Sequence, residues 1–233
     1  MPELGKLTAA LLVGGLGTRL KPVVADRPKI LAEVKGRPFL EIILRRLIET
    51  GVRRAVLLTG YRGSDVQETL GPSYGPLFLS YSHEEQPLGT AGALRNAGHL
   101  FDRDPILVMN GDSYCNADLG RFLLRYLEKK SEAGLVLTRV PDADRFGLVG
   151  TDKEGRVTGF VEKGSCGPGW INAGIYLLTR KLVLSIPAGR PVSLEREMFP
   201  AWISAGVYGY KTRSRFLDIG TPETYARADE FFR

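Results

Sequence analysis

The stretch Leu11-Leu12-Val13-Gly14-Gly15-Leu16-Gly17-Thr18-Arg19-Leu20, with Pro28-Lys29 close behind it, decides the reading of this chain. The apolar run from Ala9 to Val13 reads as a buried strand. It breaks into three glycines within four residues, and then an arginine. Glycine lets a backbone turn tightly and approach a ligand closely. Successive backbone N–H groups in such a turn form a concave anion site. Arg19 and Lys29 add positive charge beside it. The physical reading is a cradle for a polyphosphate.

Two familiar glycine loops do not fit. A P-loop ends in Gly-Lys-Ser/Thr, whereas this loop ends in Gly17-Thr18-Arg19. The dinucleotide fingerprint needs a third glycine three residues after the second, and an acid about 20 residues further on, at the end of the next strand. Here the third position is Leu20, and the next strand ends in Thr59-Gly60-Tyr61. A glycine loop by itself is also compatible with an ordinary turn.

The 233 residues suffice for one large α/β domain with a substantial core, or for two small ones. Hydrophobic residues make up 43% and charged residues 25%, as in an ordinary globular protein. No apolar run reaches the ~18 residues of a membrane span. No basic stretch with a long apolar core opens the chain, so no signal peptide is expected. Cys115 and Cys166 give neither a disulfide framework nor a metal spacing, and a reducing cytoplasm is the expected location. The net charge of +6 raises nucleic-acid binding as a candidate. The basic residues are interleaved with acids, as in Leu44-Arg45-Arg46-Leu47-Ile48-Glu49, and form no stripe with aromatics. A solvated surface with a site for phosphorylated metabolites fits better. Neither nucleic acid nor a membrane is an expected partner, and homo-oligomerisation stays open.

Strand and helix signals alternate through the first half. Phe39 to Thr50 places Leu40, Ile43, Leu44 and Leu47 on one helical face, and Gly51 stops it. Strands follow at 55–59, 77–82 and 105–109. Helices follow at 64–70, 90–101 (with Thr90 as its cap) and 119–130. Repeated β-α-β units predict a parallel sheet covered by helices on both faces. The second half is richer in strands, at 135–140, 147–151, 156–162, 171–179 and 207–212. A helix is predicted over 193–203, and Thr221-Pro222-Glu223 opens a final one.

In a parallel sheet, ligands bind beyond the carboxyl ends of the strands. The glycine loop, Asn110-Gly111-Asp112 and Asp218 are all predicted there. Asp112 and Asp218 beside a phosphate cradle suit Mg2+, which commonly takes one or two carboxylates plus phosphate oxygens. Taken singly, Asp112 is a turn residue and Asp218 a helix-entry acid. Glu162 and Asn172 suit sugar hydroxyls, and Lys163 suits a phosphate, although a Glu-Lys pair is also ordinary solvated surface. Gln86-Pro87-Leu88-Gly89-Thr90 is a second glycine turn, where Glu85 or Gln86 is placed to read a base edge. His83 and His99 are isolated and Cys115 reads as a packed residue, so no nucleophile is proposed.

In this order the motifs resemble the sugar-1-phosphate nucleotidyltransferases over nearly the whole chain. They are Gly14 to Leu20, Pro28-Lys29, Pro87 to Gly92, Asn110-Gly111-Asp112, Phe160-Val161-Glu162-Lys163, Asn172-Ala173-Gly174 and Asp218-Ile219-Gly220-Thr221-Pro222. Pro22 to Lys29 and Phe216 to Tyr225 look most like D-glycero-D-manno-heptose 1-phosphate guanylyltransferases, with mannose-1-phosphate guanylyltransferases close behind. The resemblance implies a Rossmann-like three-layer α/β/α fold with a mostly parallel central sheet, of the nucleotide-diphospho-sugar transferase type. It implies one domain over 1–233, with a nucleotide-binding half at 1–130 and a sugar-phosphate-binding half at 131–233. A C-terminal β-helix, common among relatives, is not expected.

The implied reaction joins an NTP and a sugar 1-phosphate into an NDP-sugar and pyrophosphate. Matching positions assign Arg19 to the leaving phosphates, Lys29 to the triphosphate, and Asp112 and Asp218 to Mg2+. Lys163 is assigned to the sugar phosphate. Gly14, Gly15, Gly17, Thr18, Gln86, Gly89 and Thr90 fall beside the nucleotide. Asn110, Glu162, Asn172 and Gly174 fall beside the sugar. Gln86 departs from the Glu frequent there in guanylyltransferases, and uridylyl, thymidylyl or cytidylyl transfer to another hexose 1-phosphate stays open. A dinucleotide oxidoreductase is disfavoured by the failed fingerprint. A catalytically dead sensor is disfavoured by the intact set Arg19, Lys29, Asp112 and Asp218.

Overall fold

The computed structural model describes residues 4–161, 164 and 167–233. The first half runs β1 (Thr8–Leu12), β2 (Glu33–Val34), β3 (Arg37–Pro38), α1 (Phe39–Glu49), β4 (Arg54–Thr59), α2 (Gly63–Leu70), β5 (Ser73–Tyr74), β6 (Leu77–His83), α3 (Gly89–Asn96), β7 (Ile106–Asn110), β8 (Ser113–Cys115) and α4 (Leu119–Lys129). The second runs β9 (Ala133–Val140), β10 (Leu148–Thr151), β11 (Val157–Val161), β12 (Gly169–Leu178), α5 (Arg180–Ser185), α6 (Phe199–Gly206), β13 (Val207–Thr212), β14 (Phe216–Asp218), α7 (Pro222–Ala226) and α8 (Ala228–Phe231).

Eight strands form one sheet in the order β13-β9-β12-β7-β1-β4-β6-β5. Strands β1, β4, β6 and β7 are parallel, as the β-α-β reading expects. β12 runs antiparallel to both β7 and β9, and β5 runs antiparallel to β6. Strands from both halves of the chain therefore share one sheet. Its central strands are apolar on both faces because both are covered. Ala9, Leu11 and Val13 pack with α1, α2 and α4, while Ala10 packs with α3, α5 and α6. This alternation is the three-layer α/β/α arrangement.

Three details differ from the sequence reading. Thr90 does not cap α3; that helix starts at Gly89 after Leu88, with no side-chain cap. The helix expected over 193–203 is a π-turn, Leu194–Met198, running into α6. Asp218 does not follow a strand of the central sheet. It ends β14, which pairs antiparallel with β8 in a separate two-stranded sheet. The final helix starts as read, with Thr221 in a capping box and Pro222 in its first turn. Among the described residues no helix is long and apolar enough to cross a membrane.

Candidate active site

The site lies beyond the carboxyl ends of β1 and β7. These strands are neighbours, with Leu12 paired to Asn110, so the loops that leave them emerge side by side. Gly111 N–H donates to Leu12 O at 2.9 Å, which ties the two loops together. A Cβ on Gly111 would stand 2.6 Å from Val13 Cγ1, so no larger residue fits between them.

The glycine loop then folds over a short 3-10 turn, Lys29–Leu31, which begins after Pro28. Gly17 has φ +60°, and a Cβ there would be 2.9 Å from Lys29 Cβ. This close approach is what the glycine permits. Lys29 is largely buried, and its Nζ donates to Asp112 Oδ2 at 2.7 Å. Gly15 faces open space, and Thr18 and Arg19 are exposed on the following turn. Arg19 borders the same cleft as Asp112.

Asp218 reaches this place by a different route. In the β8–β14 pair it stands opposite Ser113, the residue after Asp112. Ile219 N–H donates to Asp112 O at 3.0 Å. Burial pushes the Asp218 carboxyl up, and the Asp112 charge adds to this; Lys29, the Gly220 N–H and Arg19 oppose it. A buried acid facing a second carboxylate forms a place for a cation. Among the described residues no group of three or more His, Cys, Asp or Glu could hold a metal. A two-carboxylate set fits Mg2+, which takes its remaining ligands from phosphate and water.

A cleft of about 470 Å³ opens in front of these acids. Asn110, Asn172, Gly174 and Glu195 line it together with Arg19, Asp112 and Asp218. Strand β12 is irregular here, its register against β9 shifting between Asn172 and Tyr176. Gly174 takes φ +70°, where a Cβ would stand 2.8 Å from Asn110 Nδ2. Gly174 N–H donates to Asn172 Oδ1 at 2.9 Å. Asn110 Oδ1 is buried and has no hydrogen-bond partner among the described residues. Glu162 and Lys163 lie outside the described residues.

The second glycine turn meets the first through Glu84, a residue the sequence reading passed over for Glu85 and Gln86. Its Oε2 accepts Leu88 N–H at 3.0 Å. Its Oε1 stands 2.9 Å from where a Cβ on Gly14 would be. Burial raises its carboxyl above the ordinary range, and the Leu88 hydrogen bond partly offsets this. Gln86 is exposed, and Gly89 turns with φ +72° against Val192 O. Thr90 points its hydroxyl at Glu195 Oε2, 2.9 Å away. Glu195 was hidden by its setting, since an acid in a first helical turn is ordinary. Glu197 accepts Ser193 N–H at 2.9 Å, while Glu195 borders the cleft. Cys115 is buried and its thiol is pushed up by burial, in keeping with a packed residue.

The chain matches the nucleotidyl transferase family model over residues 8–233. It is 39% identical to a mannose-1-phosphate guanylyltransferase of Mycobacterium tuberculosis over 95% of its length, but spans only 63% of that protein. It is 32% identical to a D-glycero-alpha-D-manno-heptose 1-phosphate guanylyltransferase of Aneurinibacillus thermoaerophilus, covering 96% of this chain and 97% of the relative. The crystal structure of HddC from Yersinia pseudotuberculosis complexed with GMP-PN superposes with a TM-score of 0.87 at 33% identity, covering 97% of this chain and all of that one. The chain belongs to the nucleotidyl transferase family.

Proposed function

We propose that this protein transfers a guanylyl group from GTP to D-glycero-D-manno-heptose 1-phosphate, releasing pyrophosphate. The carrying observation is the single cleft that joins Arg19, Asp112 and Asp218 to the Asn172–Gly174 stretch of β12. One end offers cations and acids for a triphosphate. The other offers amide groups for a sugar. The heptose reading is supported by the 32% identity to a heptose 1-phosphate guanylyltransferase of which this chain covers 97%. The higher identity to the mannose-1-phosphate enzyme supports mannose 1-phosphate as a second acceptor.

In this reading the sugar phosphate oxygen attacks the α-phosphorus and pyrophosphate departs in line. One P–O bond forms and one breaks, with no covalent enzyme intermediate. The chain's work is to bring two anions together and offset their charge. Arg19 takes the departing phosphates, and Lys29 the triphosphate beside Asp112. Lys163 takes the sugar phosphate. Asn172 and Glu162 orient the sugar hydroxyls, with Asn110 and Gly174 shaping the pocket. Gly14, Gly15, Gly17, Thr18, Gly89, Thr90 and Gln86 border the nucleotide. Asp112 and Asp218 would hold Mg2+, which supplies charge neutralisation at the phosphoryl oxygens. Nucleoside triphosphate and sugar phosphate substrates support the cytoplasm as the location.

The test is a matrix of four NTPs against several sugar 1-phosphates, scored by pyrophosphate release. GTP with heptose 1-phosphate, then mannose 1-phosphate, is expected to give the highest kcat/KM. No release with any pair removes the enzyme reading.

A further inference from the structure

A chain of hydrogen bonds crosses from the sugar strand to the nucleotide turn, and its polarity is determined from both ends. At one end Gly174 N–H can only donate, so Asn172 Oδ1 accepts it and Asn172 Nδ2 must face Tyr176. Nδ2 donates to the Tyr176 hydroxyl at 2.9 Å. That hydroxyl, having accepted, turns its own proton to Glu195 Oε1 at 3.4 Å. At the other end Leu194 N–H donates to Thr90 Oγ1 at 2.8 Å, and Arg196 N–H to Ser193 Oγ at 3.2 Å. Both hydroxyls are thereby left to donate to Glu195 Oε2, at 2.9 and 3.1 Å.

Every member of the chain has one consistent role, and Glu195 accepts at both oxygens. Tyr176 is fully buried, and burial with the nearby Glu195 charge holds its phenol well above the ordinary range. Its proton therefore stays available to Glu195. Both Glu195 and Asn172 line the cleft. Glu195 Oε1 carries one long hydrogen bond and keeps acceptor capacity. Asn172 keeps one amide N–H. A strong acceptor beside a donor is the complement of one sugar hydroxyl, which donates to the carboxylate and accepts from the amide.

We propose that Glu195 is a specificity-determining residue that reads one hydroxyl of the acceptor sugar together with Asn172, and that Tyr176 is the buried positioning residue that sets their polarity. This rests on the sugar 1-phosphate reading above. It adds to it a carboxylate from the π-turn before α6 and a physical link between the sugar and nucleotide sides.

The test uses the whole chain with GTP, mannose 1-phosphate and its monodeoxy analogues. Wild type discriminates against the analogue that lacks the hydroxyl read by Glu195. E195Q is expected to raise KM for mannose 1-phosphate by about tenfold or more, the loss typical of a hydrogen bond to a charged group. KM for GTP stays within about twofold, since the amide oxygen of glutamine can still accept the Thr90 and Ser193 hydroxyls and hold the nucleotide turn in place. Discrimination against that analogue falls toward unity. Y176F shows the same split, more weakly, and reads the chain from its middle if E195Q loses its fold. A folded E195Q or Y176F with wild-type KM and wild-type discrimination overturns the proposal. So does an equal rise in both KM values, which would mark a merely structural role. An active wild type with insensitive variants sinks this inference alone. A wild type inactive on every pair sinks the guanylyltransferase reading as well.

Discussion

Lys29 Nζ sits 2.7 Å from Asp112 Oδ2, joining two loops whose residues are 83 positions apart in the chain. Lys29 is the more buried partner, with 10% of its side chain exposed against 38% for Asp112. The ammonium thus occupies one oxygen of a carboxylate proposed to hold Mg2+. Removing it leaves that oxygen free. K29A is expected to bind a divalent cation up to about fivefold more tightly without nucleotide, the scale of a partly screened ion pair. Turnover falls in the same variant, because the triphosphate loses a cation. Titration with Mn2+, followed by electron paramagnetic resonance, reads the first effect. Weaker Mn2+ binding in K29A would contradict the competition.

Asp112 carries a second prediction. Its main chain is held independently of its side chain, by Ile219 N–H on Asp112 O at 3.0 Å. D112N keeps that contact and the side-chain volume while removing the charge. It is expected to lower kcat/KM by about 10²–10³, as for loss of a preorganised charge at a reacting phosphoryl group. The thermal midpoint should stay near that of wild type. Pyrophosphate release and a melting curve on the same preparation decide it. Retained turnover would remove Asp112 from the metal role.

The glycine loop is held by geometry at one position more than the others. Gly17 has φ +60°, and a Cβ there would press on Lys29 Cβ at 2.9 Å. Gly15 meets nothing within 4 Å. G17A is expected to cost about 1–2 kcal/mol of stability from the left-handed backbone alone. It should also displace Lys29 and lower kcat/KM. G15A should leave the melting temperature unchanged. Equal stability losses for the two variants would overturn the argument that Gly17 is there to make room for Lys29.

The alternation of apolar runs with amphipathic helices was enough to read the parallel part of the sheet. Ala9 to Val13 and Ile106 to Met109 are apolar on both faces, and only a doubly covered sheet buries both. The glycine loop and Asn110-Gly111-Asp112 were legible for the same reason, since each follows such a strand directly. The place of Asp218 in the fold was not legible. Its strand is three residues long and pairs with another equally short one. Periodicity over three residues carries no signal. Glu195 was not legible because its partner Thr90 lies far away in the chain, and Glu84 because its second oxygen meets the first glycine turn only in the fold. Thr90 and Glu195, 105 positions apart, meet only once β12 has been inserted beside β7.

Glu84 makes the last prediction, on stability against pH. Burial raises its folded carboxyl above the ordinary value of 4.5. Below that value both folded and unfolded chains hold the proton, and no difference arises. As pH rises through it, the unfolded chain ionises first, so the folded state loses stability until the raised folded value is passed. Above that point the loss is constant. Glutamine has no charge to bury, and its Oε1 can still accept the Leu88 N–H that Glu84 takes at 3.0 Å. The melting temperature of E84Q relative to wild type should therefore be near zero difference at pH 4 and positive at pH 7. Calorimetry of both proteins across that range measures it. A difference that stays flat with pH would mean that Glu84 is ionised in the fold without cost, and that the turn at Leu88 owes nothing to a buried charge.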